Sequence, residues 1–423
     1  MNTQKLLPIF LISIFFFWGT KITFSQNFWE PTSGPPGTIV LSLAINPSGH
    51  IFAGTVNPAA IFRSTDNGGS WTEVHSAPPG RSLAINSSDH IFAGTDEGVF
   101  RSTDNGATWT PINTGLTHLF ISRLVITSSD DILAGTAAFD NAFGHIFRST
   151  DNGESWAEIY AGFPVRSLAI NSSGYLFAGV GTGDGGVLRS TDNGATWTQI
   201  NTGLTFLFVV SLAVNSNGYI FAGTFPGRVF RSTDNGDSWT QVLGSAGQSV
   251  ESLAINSSGH VFAGTFGAGV FRSTDNGSSW AQINAGLTNI NVLSLAINSA
   301  GFIFAGTAGD GVFISVQSTT SVRETDGEIP LTYTLEQNYP NPFNPATTIR
   351  FSIHEESFVT LKVFNTLGEE ITTLINENIN IIAGTYEIEF SAIGGATDLS
   401  SGIYFYRLKA GSFVETKKMV LLK

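Results

Sequence analysis

Between Asn27 and Val316 the apolar positions come in short runs, each closed by Gly, Asn, Asp or Ser. One stretch shows the pattern: Ser82–Asn86, His90–Thr95, Gly98–Ser102 and Thr108–Asn113 each read as a strand, and turn formers separate them. The first phrase, Ser-Leu-Ala-Ile-Asn, starts at 42, 82, 167, 252 and 294, with Ser-Leu-Ala-Val-Asn at 211 and Arg-Leu-Val-Ile-Thr at 123. The mean interval is 42 residues. Four strands in a period of about 40–45 residues is the spacing of a β-propeller blade, with the first strand innermost.

A second phrase alternates with the first. Ser64-Thr65-Asp66-Asn67-Gly68-Gly69-Ser70-Trp71 returns at 102–109, 149–156, 190–197, 232–239 and 273–280, and only its sixth and seventh letters vary. It reads as a strand, a tight turn and a second strand. The aspartate (Asp66, Asp104, Asp151, Asp192, Asp234, Asp275) can accept from backbone N–H groups two or three residues on. The following glycine permits positive φ. The tryptophan (Trp71, Trp109, Trp156, Trp197, Trp239, Trp280) can anchor the turn from beneath. The phrase Ser-x-Asp-x-Gly-x-x-Trp resembles the Asp-box, or BNR repeat, of β-propellers related to sialidases. That resemblance implies a propeller in which the box is a structural turn away from any active site.

Seven first phrases against six boxes leave one outer strand unassigned. Trp29, in Phe28-Trp29-Glu30-Pro31, stands 13 residues before Ser42, close to the 11 between Trp71 and Ser82. The N-terminal strand is therefore expected to complete the last blade and cover its open edge. The expected fold is all-β: a seven-bladed propeller over 26–316, closed by the N-terminal strand.

Composition bears on what flanks the propeller. Residues 1–25 combine Lys5, an apolar run from Leu6 to Trp18 and the small residues Thr23 and Ser25, as a cleaved signal peptide does. Cysteine is absent, so disulfides and thiolate chemistry are excluded. After a polar linker, 317–334, lysine appears for the first time since residue 21. The runs Asn338-Tyr339-Pro340-Asn341-Pro342-Phe343-Asn344-Pro345, Leu361–Gly368, Gly384-Thr385-Tyr386, Ser401–Tyr406 and Lys417–Lys423 look like the type A C-terminal sorting domain of the type IX, or Por, secretion system. Phe364 stands where a tyrosine is expected. The resemblance covers 335–423 and implies a small β-sandwich, the type IX machinery as partner, and a secreted or cell-surface location.

An antiparallel meander puts the boxes and the Asn-Ser-Ser-Gly turns on one face of the disc, and the variable loops on the other. Only the variable face can carry an asymmetric site. Its carboxylates Asp96, Asp184, Glu251 and Asp310 are the candidates for a two-acid glycosidase. Phe120, Phe139, Phe163, Phe206, Phe225, Phe266 and Arg228 are candidates for stacking on sugars or anchoring a protein. Six of ten propeller arginines precede boxes, which leaves Arg81, Arg123, Arg166 and Arg228 free for other work. His50, His90 and His260 recur in one slot on different blades, so no metal and no cofactor is expected. Twenty acids against ten arginines over 27–316 disfavour nucleic acid. These features point to a non-catalytic binder of glycan or protein; the alternative is a glycoside hydrolase of sialidase-like or xyloglucanase-like type.

Overall fold

The computed structural model describes residues 27–35, 37–76, 78–137, 143–181, 184–316, 322–324, 332–344, 346–354, 357–375, 380–381, 384–392 and 399–422. The expected signal peptide and Phe139 lie outside them. Among the described residues there is no helix long and apolar enough to cross a membrane.

Residues 29–315 form seven four-stranded antiparallel sheets in a propeller-like arrangement. The innermost strands are Ile39–Ile45, Ser82–Ile85, Ile121–Ile126, Val165–Ile170, Phe208–Val214, Ser249–Ile255 and Val292–Ile297. The outermost strand of the seventh sheet is Trp29–Pro31, whose Trp29 pairs with Ser315 and Pro31 with Phe313. The two ends of the segment thus share one sheet.

The second strand of each sheet, as in Ile91–Thr95, is buried at its first five positions. It has sheet on both faces, so it reads as an unbroken apolar run instead of an alternating one. Its recurrent glycine receives a branched side chain from the adjoining sheet. A Cβ at Gly94 would lie 2.6 Å from Ile121, at Gly135 2.5 Å from Val165, at Gly179 2.6 Å from Val209 and at Gly223 2.7 Å from Val250. The last of these contacts, Gly306 against Val40 at 2.6 Å, joins the seventh sheet to the first. The core is accordingly a ring of inter-sheet layers, each filled by such pairs and by Phe92, Phe177, Phe221, Phe262 or Phe304.

The C-terminal region forms two sheets in a sandwich-like pair. One orders Val322–Glu324, Gly384–Ser391, Ala346–Ile353 and Thr334–Leu335; the other orders Glu370–Ile375, Ser357–Phe364, Gly402–Ala410 and Phe413–Leu421. Phe343, Phe351, Tyr406, Leu408 and Met419 lie in their shared core. The Asn-Pro run is held to the last strand: Phe343 N–H donates to the Val420 carbonyl, and Val420 N–H to Asn341 Oδ1. Residues 322–324, expected in the linker, pair with 386–388. A polar Val-Arg-Glu segment gives no periodic signal for strand, and only the free edge of its partner strand recruits it.

Candidate functional site

The box face is built from short hydrogen bonds. Asp104 Oδ1 accepts from the Ser102 hydroxyl at 2.8 Å and from Thr108 N–H at 2.8 Å, and its Oδ2 accepts from the Thr108 hydroxyl at 2.6 Å. The other five boxes repeat this set, as Asp275 does with Ser273 and Ser279. The acceptor contact is therefore four residues on, not two or three. The seventh letter, always Ser or Thr, supplies two of these three donors, a constraint hidden when the position is read simply as variable. Bonds from Thr108, then Ser102, hold the Asp104 carboxyl down at about 2; Asp151, Asp192 and Asp275 are held at about 2 in the same way. These carboxylates are saturated with donors and stay ionised, so they serve the turn.

The arginine before each box stitches sheets together. Arg63, Arg101, Arg189 and Arg231 each donate 2.7 Å bonds to the carbonyl of the box asparagine in the next sheet, and Arg148 does so at 3.0 Å. Each acceptor asparagine sits at positive φ, from 55° to 59°, which turns its carbonyl outward.

The tryptophans also act between sheets. Trp156, Trp197, Trp239 and Trp29 donate to the carbonyls of Ile112, Ile159, Ile200 and Ile283 in the preceding sheet. Trp109 and Trp280 reach only their own turn glycine, as the sequence suggests for all. The three most buried, Trp156, Trp239 and Trp29, follow loops reading Asn113-Thr114-Gly115-Leu116, Asn201-Thr202-Gly203-Leu204 and Asn284-Ala285-Gly286-Leu287. In each loop the second residue's carbonyl accepts the tryptophan N–H, and the glycine approaches its carbonyl so closely that a Cβ would stand 2.0–2.2 Å away. Three Asn-x-Gly-Leu loops, after every second sheet, were a readable signal that the box count alone conceals.

The opposite face centres on the channel. In six sheets the innermost strand shifts register just before the recurrent serine slot, as at Val40/Ser42 and Val250/Ser252. A bulge of this kind re-aims the extra side chain. The inserted residues are Leu41, Ser122, Arg166, Val210, Glu251 and Leu293, and Arg81 holds the corresponding place in the second sheet. A cavity of about 190 Å³ in the channel is lined by Leu41, Arg123, Glu251, Leu293 and the serines Ser42, Ser82, Ser167, Ser211, Ser252 and Ser294.

Three of the four arginines outside box slots lie within each other's field. Burial pulls the Arg123 guanidinium below the ordinary arginine range; the Glu251 carboxylate opposes the shift and Arg166 adds to it. Burial lowers Arg166 likewise, against Glu251 and with Arg81. Arg81 is neutralised by Asp96, one contact being Nη2 to Oδ2 at 3.1 Å, and lies 4.4 Å from the Phe120 ring. Arg166 lies 5.8 Å from Phe208, which packs edge-on against the exposed Phe225. Arg228 is 5.4 Å from Phe206.

The candidate acids stand on four different sheets. Asp96 is in the second sheet's loop against Arg81, Asp184 is exposed in the fourth, Glu251 accepts from the Ser249 hydroxyl in the sixth, and Asp310 accepts from Thr288 at 2.6 Å in the seventh. Phe163 packs in the core layer of sheets three and four, Phe206 is half-buried against Phe230, and Phe266 is half-buried. Tyr160 accepts from Phe163 N–H and lies against Trp197, so it is a packing residue. Among the described residues, no group of three or more His, Asp or Glu side chains could hold a metal.

With this geometry in place, comparison with known proteins assigns the two regions. Residues 337–422 match the model of the secretion system C-terminal sorting domain. The chain ends in a sorting domain. That sorting domain implies export by the type IX system to the cell surface or beyond it. Residues 42–175 match the DUF6242 beta propeller domain. No curated protein matches the chain. Among solved structures, YCF48 bound to D1 peptide is 18% identical with a TM-score of 0.57, and the match covers 69% of this chain and 98% of that one. Virginiamycin B lyase from Staphylococcus aureus is 14% identical, TM-score 0.56, over 68% of this chain and 97% of its own. The Niastella koreensis GH74 enzyme is 21% identical, TM-score 0.53, over 68% of this chain but only 44% of its own. These likenesses show a propeller fold and nothing finer.

Proposed function

We propose that the chain is a seven-bladed Asp-box propeller that binds a glycan or protein ligand without catalysis, on the face opposite the boxes, after export by its sorting domain. In this reading 1–25 is a signal peptide and 26–316 the propeller. The observation that carries it is the dispersal of the loop carboxylates. Two-acid glycoside hydrolysis needs carboxyl groups about 5–10 Å apart across one bond, whereas Asp96, Asp184, Glu251 and Asp310 stand on four different sheets, and Asp96 is already neutralised by Arg81. Exposed Phe225 beside the Arg166–Phe208 pair offers instead an aromatic surface next to positive charge, the combination that stacks on sugars or anchors a protein.

The test is to screen the full chain on glycan arrays and against a panel of polysaccharides assayed for released reducing ends. Binding without hydrolysis is expected, weakened at least tenfold in a Phe225→Ala, Arg228→Ala double variant that melts within a few degrees of the parent. Turnover of any polysaccharide would replace the binder with a glycoside hydrolase.

A further inference from the structure

Each box carries an Asn-Gly pair at its tip, from Asn67-Gly68 to Asn276-Gly277. In all six the asparagine sits at positive φ, a conformation that asparagine tolerates. In all six the glycine N–H donates to the box serine hydroxyl at 2.7–2.8 Å. What differs is how the preceding sheet holds the asparagine. In four boxes an asparagine in that sheet's first turn donates its amide to the box asparagine Oδ1: Asn46 to Asn105, Asn86 to Asn152, Asn171 to Asn235 and Asn215 to Asn276, at 2.9–3.4 Å. The same four have their carbonyls held by the stitching arginines.

Two boxes lack this support. In the third sheet Thr127 stands where Asn86 stands in the second. Its hydroxyl still accepts from Asp131 N–H at 3.0 Å, as Asn86 Oδ1 accepts from His90 N–H at 2.9 Å, but threonine has no second polar atom to reach the fourth sheet. Asn193 therefore keeps only the bond from Arg148 to its carbonyl. Asn67, in the first sheet, lacks both supports. The seventh sheet carries Ile314 in the arginine slot. Its turn asparagine, Asn298, accepts from Phe302 N–H at 2.9 Å, and among the described residues its amide makes no bond to Asn67. The Asn67 and Asn193 residues are both exposed.

We infer that Asn67 is a site of spontaneous deamidation in the folded protein and Asn193 a slower one, whereas the sheet before them shields the other four box asparagines. In this reaction the glycine nitrogen attacks the asparagine Cγ. A new N–Cγ bond forms, the Cγ–Nδ2 bond breaks, and the amide leaves as ammonia, taking up the glycine N–H proton. Water then opens the cyclic imide at either carbonyl, which yields aspartate or isoaspartate. Glycine favours the attack because it has no Cβ to crowd its nitrogen. In every box the serine–glycine bond must first open, a local fluctuation of the turn. In the four supported boxes the asparagine must also leave its two inter-sheet partners; Asn67 has neither to leave. The modification falls at the closing seam. Ser33 N–H donates to the Gly68 carbonyl at 2.9 Å, and Thr32 packs so near Gly68 that a Cβ there would lie 2.5 Å from it. Isoaspartate at 67 inserts a methylene into the main chain just before this contact, so it loosens the hold on the N-terminal strand.

The test is incubation of the full chain at mildly alkaline pH, in buffer and in urea, with peptide mapping by mass spectrometry to read the conversion at each pair. Unfolded in urea, the six box pairs should convert at similar rates, because Thr-Asp-Asn-Gly is common to all. Asn217-Gly218, the Asn-Gly pair outside the boxes, lies in an exposed turn and supplies the folded-state rate of an unsupported pair. In the folded chain Asn67 should approach that rate. Asn193 should be slower by a factor of about three or more, and the other four slower again by about as much, as expected when each step adds a hydrogen bond to open. Thr127→Asn supplies the missing donor and should slow Asn193 to the rate of the four. Asn171→Ala removes a donor and should raise Asn235 to the rate of Asn193, with the melting temperature of each variant showing that the propeller stays folded. Equal folded rates at the six pairs, a different order among them, or an unaltered Asn193 rate in Thr127→Asn would each overturn the inference. Once Asn67 has become isoaspartate, amide exchange at 29–33 should be faster. Asn67→Gly, which suits positive φ and has no side-chain amide, should age without that change; equal exchange in the aged parent and the aged variant would overturn the link to closure.

Discussion

Replacing Trp29 by alanine probes how the ring of sheets is closed. The indole is fully buried among Phe262, Val270, Val292, Leu295 and Phe313, and its Nε1 donates to the Ile283 carbonyl at 2.6 Å. Truncating a buried aromatic to alanine costs about 3–5 kcal/mol. The Ile283 carbonyl, left without its donor, adds on the order of 1 kcal/mol. The strand Trp29–Pro31 is only three residues long, so it has little else to hold it against Val312–Ser315, and its loss uncovers an edge. Denaturant unfolding of Trp29→Ala should therefore show a loss of about 4–6 kcal/mol, with faster amide exchange at 312–315. Trp71→Ala is the internal control: that indole is half-buried and its donor contact to Thr32 is 3.3 Å, so the cost should be about half as large. Equal losses for the two variants, or unchanged exchange at 312–315, would show that the N-terminal strand is not the closing element.

Two further outcomes follow from the box face. Asp104, Asp151, Asp192 and Asp275 are held at about 2, below the ordinary 3.8; a depressed folded-state value adds stability above 3.8 that is lost as pH falls toward 2. The melting temperature should be level above pH 4 and fall between pH 4 and 2, and an Asp275→Asn variant, already deprived of that contribution at neutral pH, should fall less steeply. Arg231 donates across sheets to the Asn276 carbonyl, whereas the seventh sheet has no box to receive Arg272. Arg231→Ala should consequently destabilise by about 1–2 kcal/mol more than Arg272→Ala in urea melts, and the reverse order would refute the stitching role.

The repeat itself made the architecture legible. Strand–turn–strand is a local property, written in the alternation of residues and in turn formers such as Asp66 and Gly68, so a 42-residue period and its six boxes could be read from the chain. The spare tryptophan at 29 pointed to the seventh sheet for the same reason: each sheet needs one residue of that kind in one place. Contacts between sheets were less visible. That Arg63 serves Asn105, or that Trp156 is capped by the loop at 113–116, depends on residues about 40 apart whose alignment only the stacked sheets create. The candidate site lies at the far end of this scale. Arg123 could be seen as an irregular letter and Glu251 as a loop acid, but their meeting in one cavity was decided by closure of the ring, which brings the third, fourth and sixth sheets to a common axis. Sequence determines what each sheet is, because a strand's pattern is fixed by its own neighbours; the tertiary structure alone determines which side chains share the channel, because distance across a ring has no counterpart along the chain.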